Sequence, residues 1–188
     1  MIDDSATNAY RAISEYYDGA RAKRSLMPYM KHIDEGLAIL DELGADEVTK
    51  DAFCIHPMIQ SNDDLLITYK DSLLSDYNIE AEVILLAFRY REIANSFLSK
   101  HIDNISRADI FTIKKNLVEW PEVQNMLIAD KVQNKFDFMV HHYERHEKSD
   151  KLLDYFNRWL IDILQVDYHK LARHCEYLVV TPEQVHGI

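Results

Sequence analysis

The sequence predicts an all-α fold, and two observations carry that expectation. Gly and Pro number only four each in 188 residues, and a strand-rich domain needs more turn residues than that. The apolar residues also recur at helical spacing, as in Ile33, Leu37 and Leu40 at i, i+4 and i+7, which gives a helix one buried face. The length favours a single domain, residues 1–188, with a core over about 10–178 and a loosely held tail over 179–188. A composition of 47% hydrophobic and 28% charged residues is that of an ordinary globular chain.

Taken in order, Ser5 can cap a first helix with Ala9, Ile13 and Tyr17 on one face. Pro28 suits the first turn of a second helix, which stops near Gly44. A third helix runs from about Ala45 to His56, where Pro57 is expected to end it because proline has no N–H for the helical ladder. Asn62 can cap a fourth helix carrying Leu65, Leu66 and Tyr69. The segment Glu80 to Ser99 is apolar nearly all round at Val83 to Phe88, and reads as a central, buried helix. Ser106 can cap a short helix with Ile110, Phe111 and Ile113, and Pro121 can open a long one through Met139. A helical stripe over Lys148 to Gln165 and a last helix from Tyr168 to Leu178 complete the chain.

Charge and cysteine content narrow the function classes. A net charge of −11 opposes binding to a nucleic-acid polymer, which needs clustered Lys and Arg. A small anionic ligand stays compatible, because a local basic pocket can sit in an acidic protein. Two cysteines without CxxC spacing fit a reducing compartment and exclude a disulfide framework. The acidic start Met-Ile-Asp-Asp-Ser lacks a secretory apolar region, and the longest apolar run, Val83 to Phe88, is too short to span a bilayer. The expectation is a cytoplasmic protein with no membrane partner. Self-association into a homo-oligomer is left open.

Three polar residues stand out against apolar surroundings. His32 borders the Ile33 stripe, His56 closes an apolar helix, and Asp130 lies between Leu127-Ile128 and Val132. A buried carboxylate needs a partner or a metal ion, and two imidazoles with a carboxylate form a possible divalent-metal site. Each has an ordinary structural reading as well: a hydrogen-bonded core histidine, or an Asp130 paired with Lys131, Arg107 or a histidine. Arg91, Glu92 and Asn95 share a helix face, where Arg91 suits either a phosphate or a salt-bridge network. His142 and His146 sit at i, i+4, but in a solvated helix end with no third ligand. Asp63 and Asp64 read as helix N-terminal charges.

In order and spacing, Arg24-Ser25 with Pro28-Tyr29-x-x-His32, then Ala52-Phe-Cys-Ile-His56, then Leu127-Ile-Ala-Asp-Lys-Val-Gln-Asn134 resemble the landmarks of RelA/SpoT-type guanosine tetraphosphate hydrolases, a branch of the HD-domain superfamily. The resemblance covers roughly Tyr10 to Leu164. It implies an HD-domain-like helical bundle, with His32, His56 and Asp130 on a divalent metal, manganese or alternatively zinc or another ion. It also implies that Arg24 and Asn134 face a nucleotide, to which Arg91 could add a second cation.

The chain departs from that pattern where the family carries His-Asp-x-x-Glu-Asp. Here the residues are His56, Pro57, Met58, Ile59, Gln60 and Ser61. One metal ligand is a proline, and the pair that activates water is Gln60-Ser61, of which Gln60 can position water without acting as a base. Two expectations follow. One is a divergent phosphohydrolase for a nucleotide or related phosphate ester, inefficient on guanosine tetraphosphate. The other is an HD-fold protein without a reaction that senses a nucleotide or docks a partner.

Overall fold

The computed structural model describes residues 6–22, 25–145 and 147–176. Ser5, Arg24, His146 and residues 177–188 lie outside them. The fold is all-α: α1 (Asn8–Tyr17), α2 (Met30–Glu42), α3 (Glu47–Gln60), α4 (Asn62–Lys70), α5 (Leu73–Asp76), α6 (Ala81–Ser96), α7 (Arg107–Glu119), α8 (Pro121–His141), α9 (Ser149–Asn157) and α10 (Tyr168–Ala172). Among the described residues the extended pairing is limited to one antiparallel bridge between Arg21 and Pro28. No helix among them is long and apolar enough to cross a membrane.

Local chemistry sets the helix ends. Thr7 caps α1 by accepting from the Tyr10 N–H, and Asp46 caps α3 through Thr49. Ser106 and Asp109 form a reciprocal capping box on α7. Pro121 opens α8 as the sequence predicts, since its missing N–H falls where the helix has no use for it. The N-cap of α4 is Ser61, whose hydroxyl accepts from the Asp64 N–H, and Asn62 is the first helical residue. The last helix ends at Ala172, short of the expected Leu178, and α9 continues into a π-helical stretch over Arg158–Ile163.

Further expectations fail for physical reasons. Pro57 does not end α3; the helix runs three residues further, to Gln60. A proline forfeits one ladder bond, and the buried apolar face of Phe53, Ile55, Met58 and Ile59 offsets that loss. The central helix is α8 and not α6. Every residue from Met126 to Gln133 is buried, whereas α6 turns Glu82, Leu85, Phe88 and Glu92 outward along one stripe. α6 is covered on one side by α3 and α8. On α4, likewise, Leu66 and Tyr69 are exposed and Thr68 is the buried residue.

α2 and α3 both pack on α8 and on each other, with Ile33, Phe53, Leu40 and Met126 fully buried between them. Gly36 permits the approach: a Cβ there would stand 2.2 Å from Phe53 Cε1 and Cζ. The candidate site residues His32, His56 and Asp130 lie on these three helices.

Candidate metal centre

α2 presents His32, α3 presents His56 and α8 presents Asp130, and the three meet at one point. His32 Nε2 is 3.5 Å from His56 Nε2 and 3.6 Å from Asp130 Oδ1, and His56 Nε2 is 3.9 Å from the same oxygen. Among the described residues this is the group of His, Cys, Asp or Glu side chains that could hold a metal ion. The nearest point equidistant from the three atoms, in their common plane, lies about 2.1 Å from each, inside the roughly 2.0–2.2 Å range of nitrogen and oxygen ligands to a zinc-sized ion.

The far side of each imidazole is committed. His56 Nδ1 donates to the Phe53 carbonyl at 2.5 Å. His32 Nδ1 bonds Gln133 Oε1 at 2.7 Å. Gln133 Nε2 in turn donates to Glu35 Oε2 at 3.0 Å, and Glu35 is held by Lys31 at 2.6 Å and by the Glu176 N–H at 2.5 Å. A carboxylate can only accept, so the Gln133 amide must point its NH₂ at Glu35 and its oxygen at His32. His32 therefore carries its proton on Nδ1. A carbonyl imposes the same tautomer on His56. Both Nε2 lone pairs face inward, the arrangement metal-bound histidines have.

Charge agrees with that assignment. Burial drives the His56 imidazole down to about 3, so the ring is neutral. Burial works to raise Asp130, but its cationic neighbours, Lys131 foremost, outweigh it and hold the carboxyl at about 2. Asp130 Oδ2 pairs with Lys131 at 2.6 Å, and Asn134 Nδ2 donates to Oδ1 at 2.7 Å. Burial, with the Asp130 carboxylate acting in the same direction, pushes the Tyr90 phenol well above its usual range. Lys131 rests on Trp159 and Tyr155, 5.4 and 5.8 Å from their ring centres.

The site opens into a cavity of about 1110 Å³, whose wall includes His32, His56, Asp130, Gln60 and Asn134. Gln60 Nε2 is fixed on Asn95 Oδ1 at 2.8 Å, while its buried Oε1 lacks a protein partner. Asn134 lines the cavity with its amide committed to Asp130. Arg91 is not brought to this site: it donates to Asn62 and lines a separate depression with Leu85 and Phe88. Asp64 lines the cavity as the acceptor of the Tyr16 hydroxyl, at 2.8 Å, while Asp63 is exposed. Ala22 and Ser25, on either side of the Lys23-Arg24 pair, line the cavity; Arg24 itself lies outside the described residues.

Sequence reasoning missed Gln133, Glu35 and Tyr90. The available signals were polar groups on buried faces: Gln133 one turn after Asp130, and Glu35 one turn after His32. No protein-family model, curated protein or solved structure matches the chain.

Proposed function

We propose that this chain is an HD-type protein that binds a divalent metal ion at His32, His56 and Asp130, and takes a nucleotide or related phosphate ester into the adjoining cavity. The observation that carries the reading is the pair of inward Nε2 lone pairs 3.5 Å apart. Two such lone pairs repel unless a cation lies between them, and the nearby Asp130 Oδ1 makes a third donor for a metal ion. The resemblance in motif order supports the same three ligands.

A bound ion of this kind polarises phosphoryl oxygens and lowers the pKa of a coordinated water. The chain's own residues do the rest. Gln133 and the Phe53 carbonyl orient the imidazoles, Asn134 holds Asp130, and Gln60, its amide nitrogen fixed on Asn95, lines the cavity without serving as a base. Gln60 and Ser61 stand where a Glu-Asp pair would be expected, which favours ligand binding over rapid hydrolysis. Guanosine tetraphosphate turnover is accordingly expected to be slow or absent.

The test is metal content and manganese and zinc titration of the protein, with His56→Ala and Asp130→Ala beside it. The expected result is near-stoichiometric binding that both substitutions abolish. Binding that survives both would place the ion elsewhere, and fast manganese-dependent turnover of guanosine tetraphosphate would overturn the assignment of Gln60.

A further inference from the structure

Pro57 occupies the position at which the resemblance leads one to expect a metal-binding aspartate. In a regular helix the N–H of residue 57 would donate to the carbonyl of residue 53. Proline has no N–H, and α3 nevertheless continues through Pro57 to Gln60. The Phe53 carbonyl is thereby released from the ladder, in a part of the core where Phe53 is fully buried and water cannot replace the lost donor. The group that takes it is His56 Nδ1, at 2.5 Å.

We infer that Pro57 is a positioning residue for the metal centre: by removing the ladder donor to the Phe53 carbonyl, it reserves that oxygen for His56 Nδ1–H and so fixes the Nε2 lone pair toward His32 and Asp130. The inference rests on the proposed metal site. It assigns a role to the residue that otherwise reads as the site's main defect. The Phe53 and Tyr90 rings, each 4.8 Å away between ring centres, select no tautomer, and on the other side His32 Nε2 at 3.5 Å and Asp130 Oδ1 at 3.9 Å would by themselves draw the proton to Nε2. The Phe53 oxygen is the contact that holds it on Nδ1. At His32 the same task falls to a side chain, Gln133. At His56 it falls to the backbone, at a carbonyl that has lost its ladder donor.

A restored N–H at position 57 competes for the Phe53 oxygen. A carbonyl can accept two donors, but a shared bond is weaker for each. Pro57→Ala should therefore separate two quantities that a merely structural proline moves together. Helix stability should hold or rise, because alanine suits a helix interior and proline does not. Metal affinity should fall by about tenfold, the lower end for loss of an outer partner of a metal-bound histidine.

The experiment measures three things on the native protein, Pro57→Ala and Pro57→Ser. They are the melting temperature without metal, manganese and zinc affinity by titration, and the His56 tautomer from long-range nitrogen–proton NMR spectra of the metal-free protein. The expected result is Nδ1–H in the native protein, a mixed or Nε2–H ring in both variants, unchanged or higher melting temperatures, and weaker metal. A variant that keeps the Nδ1–H tautomer and the native affinity overturns the inference. A native protein that binds no metal sinks the proposed function instead, and the tautomer comparison still decides the role of Pro57.

Discussion

Asp130 meets two demands with one carboxylate. Oδ1 faces His32 and His56, while Oδ2 neutralises Lys131, and both Asp130 and Lys131 are buried. The ordinary reading, an aspartate paired with its neighbouring lysine, and the metal-ligand reading are thus compatible, because they use different oxygens. Asp130→Asn would leave the Lys131 ammonium buried without a counter-charge, and removing one partner of such a pair costs roughly 3–5 kcal/mol. Urea denaturation of the metal-free protein should show a loss of that order. Lys131→Met added to Asp130→Asn should recover most of the stability, since the double variant no longer buries a charge, while metal binding stays lost. A single variant as stable as the native protein would mean that Lys131 finds its counter-charge elsewhere. The sequence displays Asp130 plainly, as a carboxylate between Ile128 and Val132. It hides the division of labour between the two oxygens, which depends on where α2 and α3 cross α8.

At the scale of elements, the site depends on how closely α2 and α3 approach. Gly36 faces Phe53 directly, and a Cβ there would fall 2.2 Å from the ring. Phe53 is fully buried, so its ring has no open space to turn into, and it belongs to the residue whose carbonyl holds His56. Overpacking of this kind typically costs 1–3 kcal/mol. Gly36→Ala should lower the melting temperature by several degrees and weaken metal binding at the same time. Phe53→Leu in the same background should restore part of both, because the smaller side chain makes room for the methyl group. Thermal melts paired with metal titrations check this, and a Gly36→Ala protein with native affinity would show that the helix spacing is not what sets the site. Helix positions were legible at local chemical signals such as Ser106 and Pro121, although the cap of α4 is Ser61 and not the expected Asn62. They were not legible where tertiary burial decides: the rule that proline stops a helix gives the wrong end for α3, because the apolar face beyond Pro57 carries the helix on. The same limit applies to α6, whose apolar run looks buried all round until packing on α3 and α8 leaves Leu85 and Phe88 outside. Arg91 follows from that error, since its place on α6 turns it toward Asn62 and away from the cavity.

Across the whole molecule the charge is −11, and the described wall of the cavity shares that sign. Its described wall carries Glu15, Asp64, Asp71, Asp130 and Asp137, against Lys131 as the one lysine or arginine. Lys131 is already neutralised by Asp130. A phosphate entering this space meets net repulsion from the described side chains, and a divalent ion on His32, His56 and Asp130 would reverse the sign where the phosphate must sit. Binding of a phosphorylated ligand should therefore be conditional on the metal. Inorganic phosphate and nucleoside monophosphates should leave the melting temperature of the chelator-treated protein unchanged. With saturating manganese they should raise it, by the equivalent of about 2.7 kcal/mol at a hundredfold excess over Kd. The charge alone, read from composition, argues only against nucleic-acid polymers; the acidic described wall argues further that these side chains would need the ion in order to hold a phosphate. Equal stabilisation by phosphate before and after chelation would break that link and place the phosphate-binding charge on the protein itself.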